Sequence, residues 1–229
     1  MPDRYRRHDL AWLRRDWARS LATPLEPGEL DAVDAWRRRS LPLVVARRQP
    51  GDAADTLRLG LALPGIVDKR RIGVHVAIGA IARSAPLLTL EEALVSAPEA
   101  WRPRLGALAR VCAAQDMPAR VFGSLAWQTL SGERYLRPGS DIDLLFQPRS
   151  RREVERLIVL LAEFDTPADP PRLDGEIVLP DNAAVAWREL SARPSRVLVK
   201  GPAGVELRPF TAVIDLFGGR QHEVDSRGP

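Results

Sequence analysis

A single cysteine, Cys112, in 229 residues excludes any internal disulfide, and three histidines are too few for a clustered structural zinc site. Cys112 lies in an alanine-rich helical stretch and reads as a small core residue. Lysine is nearly absent: Lys69 and Lys200 are the only two among 34 basic residues, so arginine carries the positive charge. No uninterrupted apolar run approaches the roughly 18 residues of a membrane-spanning helix. The opening MPDRYRRHDLAWLRRDW lacks the apolar stretch of a secretory signal, so a cytoplasmic protein with no membrane association is expected. A dense basic stripe is missing too. Residues 1 to 50 hold 11 basic and 7 acidic side chains, and the remainder balances at 23 of each. That pattern predicts phosphorylated or acidic partners and argues against nucleic acid.

What is present suits a folded globular chain, with 45% hydrophobic residues. Neither an internal repeat nor a low-complexity tract occurs. Residues 29–39 read as a helix, and 41–48 and 56–64 as strands across a Gly-Asp loop. Residues 71–86 alternate through Val74 and Val76 like a strand, while their alanine content tolerates a helix; both stay open. Thr89 with Glu91 and Glu92 marks a helix start, and 98–117 is helical with Pro98 in its first turn. Strand and helix then alternate: ARVFGS, LAWQTLSG, SDIDLLF, RREVERLIVLLAEF, RLDGEIVLP, NAAVAWREL, SRVLVKG and GVELRPF, with NAAVAWREL expected as a helix. The predicted class is α+β with mixed α/β character: a small N-terminal α/β domain over 1–90, then a domain with a mixed sheet over 91–229.

The stretch VFGSLAWQTLSGERYLRPGSDIDLLF, residues 121–146, concentrates the chemistry. Gly after a strand accommodates positive φ, and a Gly-Ser turn is by itself an ordinary helix entry. Asp-x-Asp is also unremarkable in a chain with 17 aspartates. Their positions sharpen both. If 141–147 is a strand, its period of two places Asp141 and Asp143 on one face, with Ile142 and Leu144 on the other. Two carboxylates so close repel unless a cation lies between them, and hard oxygen ligands suit Mg2+ or Mn2+. The N–H groups behind Gly123 and Ser124 supply an anion cradle at a helix start. Together these parts suit in-line phosphoryl transfer.

FGSLAWQTL...GSDIDLLF resembles the polymerase-β-like nucleotidyltransferase superfamily, in which a Gly-Ser turn and short helix precede Asp-x-Asp and a third acid on a later strand. The resemblance implies that third acid in RLDGEIVLP: Asp174, with Glu176 as the alternative, placed to take a proton from the attacking hydroxyl. The alternative account of this pair is two solvent-facing acids flanking a Gly bend. RHDLAWL at 7–13, FGSLAWQTLSGERYL, RLDGE followed by AVAWREL, and VLVKG at 197–201 together are similar to the malonate decarboxylase holo-acyl-carrier-protein synthase family, the phosphoribosyl-dephospho-CoA transferases. The likeness runs nearly end to end and is thinnest over 50–118.

That resemblance implies a donor, 2'-(5''-triphosphoribosyl)-3'-dephospho-CoA, and an acceptor, a serine of the acyl carrier protein subunit of malonate decarboxylase, with pyrophosphate leaving. Asp141, Asp143 and Asp174 are then the expected metal and catalytic residues, with Gly123, Ser124 and Lys200 expected on substrate phosphates. For Lys200, a surface lysine closing its strand before Gly201 fits equally. The basic cluster at 68–71 is a second phosphate candidate but reads more simply as a solvated loop, and Arg37, Arg38 and Arg39 are candidates for docking an acidic carrier. His8-Asp9 is expected to cap and pack a helix, His75 to sit in the core, and Trp127 to pack beneath the Gly-Ser turn. Two other functions use the same residues: a nucleotidyltransferase that moves AMP from ATP to a small molecule or protein, and a degenerate domain acting as an antitoxin-like binding protein.

Overall fold

The computed structural model describes residues 5–65, 70–166, 170–201 and 204–218. The chain divides into two compact units, Met1–Ala97 with Val121–Pro138, and Pro98–Arg120 with Gly139–Pro229. Each is built on its own sheet, and among the described residues no helix is long and apolar enough to cross a membrane. The class is α+β.

In the first unit, strands β1 (Leu10–Leu13), β2 (Leu43–Val45), β3 (Thr56–Ala62), β4 (Arg71–Ala77) and β5 (Ile81–Ala85) form a sheet in the order β4-β3-β2-β1-β5. Every ladder that β1, β2 and β3 make here is antiparallel. The stretch left open between helix and strand, 71–86, is strand, a single 3-10 turn at Ile78–Ala80, and strand again. Its alternation buries Ile72, Val74 and Val76, which decides for sheet over the helix its alanines would tolerate. His8-Asp9 does not cap a helix. His8 has φ 75°, and the chain turns directly into β1, whose Leu10, Ala11 and Leu13 are buried against its two neighbours.

Helix α1 (Pro27–Arg38) adds Val33 and Trp36 to this core, with Trp36 Nε1 donating to the Pro42 carbonyl. Helix α2 (Leu90–Ala93) starts where Thr89 predicts it. Thr89 Oγ1 accepts from the Glu92 N–H while Glu92 Oε2 accepts from the Thr89 N–H, a reciprocal cap.

In the second unit, α3 (Arg102–Ala114) buries Leu105, Leu108 and Cys112. Strand β6 (Arg120–Phe122) is where the chain crosses back to the first unit, and helix α4 (Gly123–Ser131) follows it there. The second unit continues with β7 (Ile142–Phe146), α5 (Arg151–Phe164), β8 (Leu173–Val178), β9 (Ala184–Ala186), α6 (Trp187–Ala192), β10 (Arg196–Lys200), β11 (Val205–Pro209) and α7 (Phe210–Asp215). The sheet order is β11-β10-β9-β8-β7-β6. Strands β7 and β8 are parallel across the α5 crossover, and β8 to β11 are antiparallel.

The expected helix NAAVAWREL corrects to a short strand followed by a helix. Ala184–Ala186 pairs with β8 on one side and β10 on the other, so sheet hydrogen bonding on both edges overrides the helical preference of alanine.

Candidate active site

The face of the second sheet follows from its register. Ile142, Leu144 and Phe146 are fully buried on one side of β7, as are Leu173 and Ile177 on β8. The opposite side of β7 carries Asp143, with the exposed Asp141 just ahead of the strand. Asp143 is the register partner of Asp174 on the parallel β8. Like carboxylates directly opposite one another in a sheet repel. Asp174 takes one local hydrogen bond, from the Gly175 N–H at 2.9 Å.

Gly175 makes no bend. It is a strand residue whose missing side chain leaves room for its neighbours: a Cβ there would lie 3.1 Å from the Leu144 carbonyl oxygen and 3.3 Å from the Trp187 ring. The two acids therefore flank a packing contact, and alternation returns both Asp174 and Glu176 to the Asp143 face. Glu176 differs sharply from Asp174 in environment. It is only 5% exposed, and Lys200 Nζ lies 2.8 Å from its Oε1. Lys200, expected on a phosphate, pairs with the alternative third acid, whereas Asp174 is exposed.

Sequence reasoning gave no role to the residues that fix the start of β8. The Leu173 carbonyl accepts from Trp187 Nε1 and from Arg188 Nη2, while the Leu173 N–H donates to Asp165 Oδ1. Arg188 also pairs with Asp165 and lies over the Trp187 ring. Residue 173 is clamped from both sides, so the Cα preceding Asp174 is fixed. Arg104 reaches the carbonyls of Phe164 and Pro171 and holds the crossover that leads there. The Trp-Arg pair at 187–188 was a usable signal, because an indole N–H that becomes buried and an adjacent guanidinium both seek acceptor partners.

Gly123 and Ser124 open α4 in the first unit. Gly123 has φ 68°, the conformation that favours glycine, and no side chain caps the helix start at Phe122. Trp127 packs, as expected: it meets Trp36 edge-on at 5.7 Å and stacks with Tyr135 at 6.3 Å. Burial pushes the Tyr135 hydroxyl up to about 12, and it donates to the Ala62 carbonyl. Gln128 binds the turn after α4, its Oε1 accepting from the N–H groups of Tyr135 and Leu136 and its Nε2 donating to the Ser96 carbonyl.

The other expected contacts are occupied locally. Arg37 and Arg38 pair with Asp34, and Arg39 with Glu133 and the Ser131 carbonyl. Within the 68–71 cluster, Asp68 and Lys69 lie outside the described residues, while Arg70 stands 4.0 Å from Glu29. His75 is half of a cross-strand pair with Arg58 and hydrogen-bonds the Thr56 and Thr23 hydroxyls. Burial raises the Cys112 thiol to about 11, so it stays protonated and inert at neutral pH.

Among the described residues, no three acidic, histidine or cysteine side chains form a ready-made metal cage. The carboxylates nonetheless fit a magnesium-type ion, which is held by one or two carboxylates and completes its shell with water and substrate phosphates.

Comparison with known proteins adds the family. Residues 89–210 match the phosphoribosyl-dephospho-CoA transferase MdcG C-terminal domain, and residues 6–86 match the corresponding N-terminal domain. The chain belongs to the MdcG family. A phosphoribosyl-dephospho-CoA transferase of Xanthomonas campestris pv. campestris (strain 8004) is 40% identical over 207 residues, covering 90% of this chain and 95% of that one. The transferase of the same name from Bradyrhizobium diazoefficiens is 36% identical over 195 residues, 85% of each chain. That of Pseudomonas aeruginosa is 30% identical over 164 residues, 69% of this chain and 73% of its own. No solved structure matches. The chain is a transferase of this family, and Asp143, Asp174, Glu176 and Lys200 all lie within the match to the C-terminal domain.

Proposed function

We propose that this transferase moves the phosphoribosyl-dephospho-CoA group from 2'-(5''-triphosphoribosyl)-3'-dephospho-CoA to a serine of the acyl carrier protein subunit of malonate decarboxylase. The observation that carries the reading is the register pairing of Asp143 with Asp174 on one accessible sheet face of the family's C-terminal domain. Asp174 takes the proton of the attacking serine hydroxyl. The serine oxygen then bonds to the α-phosphorus as the bond to pyrophosphate breaks. Asp141 and Asp143, with Asp174, would hold Mg2+ or Mn2+, which would supply positive charge to offset that of the triphosphate and the leaving pyrophosphate. The work of these side chains is positioning and charge compensation, with no covalent intermediate on the protein.

The test combines purified protein, apo carrier subunit, magnesium and either the triphosphoribosyl donor or ATP, followed by intact mass of the carrier. The expected result is a mass gain with the donor alone, matched by one pyrophosphate per carrier. Asp143→Asn and Asp174→Asn should each lower turnover by about 100-fold or more. Modification by ATP only, or full turnover in either variant, rejects the reading.

A further inference from the structure

We propose that the β10–β11 hairpin is the docking surface for the carrier polypeptide, with Leu198, Val205 and Leu207 seating the carrier while its serine reaches Asp143 and Asp174. This rests on the transfer reading above. Among the described residues six large hydrophobic side chains are exposed, and three of them are these: Leu198 at 38%, Val205 at 53% and Leu207 at 54%. The other three, Val95, Val159 and Leu216, lie on separate elements. Leu198 faces Leu207 in register, and Lys200 faces Val205, so the three apolar residues form one patch.

The register also ties the patch to the carboxylates. Val205 pairs with Lys200, Lys200 with Ala184, Ala186 with Glu176, and Asp174 with Asp143. Alternation keeps all of them on one sheet face. The hairpin's outer strand is three strand spacings from β8, about 14 Å. A folded domain of roughly 100 residues has a radius of gyration near 13 Å. A small domain resting on the hairpin therefore brings a surface serine over the carboxylates, which a smaller acceptor would not require.

Charge and edge chemistry favour that occupant over a second copy of this chain. Arg196 is exposed on the same face and donates to the Leu207 carbonyl, and this face of the hairpin holds no acidic residue, which suits an acidic carrier. β11 is the edge strand and ends in Pro209, which has no N–H to offer an added strand.

The test measures steady-state kinetics with intact carrier and donor for the unaltered protein, Leu198→Ser/Leu207→Ser, Arg196→Glu and Val205→Thr. The last keeps a β-branched residue and so preserves the strand if the double variant misfolds. The double variant should raise the carrier KM about tenfold and Val205→Thr about threefold. Donor KM and kcat should stay within twofold, and Arg196→Glu should weaken carrier binding most at low salt. Calorimetric binding of carrier without donor reads the surface independently of turnover. Unchanged carrier affinity in the folded variants overturns the proposal, as does a dimer that the substitutions dissociate while carrier affinity holds. Absence of transfer by the unaltered protein, with carrier binding still lost on substitution, instead counts against the transfer reading alone.

Discussion

Lys200 Nζ lies 2.8 Å from Glu176 Oε1 across 24 residues of sequence, joining β10 to β8 over the intervening β9. Glu176 is buried and Lys200 is about a third exposed, so the ammonium helps to offset the cost of burying that carboxylate. Lys200→Met should therefore destabilise more than Glu176→Gln, because the first takes the cation away from a buried carboxylate while the second leaves an amide that still accepts from the ammonium. The expected losses are about 2–4 kcal/mol and about 1 kcal/mol by denaturant titration. Glu176→Gln should leave the magnesium concentration for half-maximal turnover unchanged. A large shift there would make Glu176 a metal ligand and displace Asp174 from that role.

How much of this arrangement was legible beforehand depends on how local each determinant is. The Gly123 turn, the helical spacing of the buried Val154, Leu157 and Leu161 in α5, and the alternation of Asp143 against Ile142 and Leu144 are set by residues within a few positions of one another, and the sequence pattern conveys them. The pairing of Asp143 with Asp174 is different. It depends on how far α5 and its connections carry the chain before β8 begins, and no periodicity encodes that offset. The same holds for Lys200 and Glu176. Strand β9 was misread because Ala184, Val185 and Ala186 carry little strand signal of their own; two neighbouring strands make them a strand. The Leu10–Leu13 strand was hidden for a similar reason, lying between β2 and β5, whose sequences are far from it.

Gly175 predicts a second substitution effect. Added carbon at this position meets the backbone oxygen of Leu144, which belongs to the adjacent parallel strand and cannot rotate away, and the ring of Trp187, which is itself tied to the Leu173 carbonyl. Gly175→Ala should lower stability by about 1–3 kcal/mol, the usual range for overpacking a fixed core contact. Because Asp174 and Glu176 flank the residue, turnover should fall further than stability alone explains. Wild-type stability together with wild-type turnover would mean that β7 and β8 separate more freely than their ladder implies.

The first unit offers a test against pH. Arg58 grips Asp52 with three hydrogen bonds, Nε to both carboxylate oxygens and Nη2 to Oδ1, and the Gln49 N–H adds another. These bonds, the Arg58 contribution foremost, hold the Asp52 carboxyl well below the ordinary carboxylate range. A folded-state value depressed below the unfolded one stabilises the fold at every pH above the unfolded value of about 4, and that stabilisation disappears as pH falls through the folded value. Asp52→Asn should thus reduce Tm at pH 7, and the gap from the unaltered protein should narrow steadily as the pH is lowered below about 4. Thermal melts between pH 7 and the most acidic condition that still yields a folded baseline measure the gap directly. A gap that stays constant across that window would mean the Arg58 clasp acts through packing of the loop and not through the charge on Asp52.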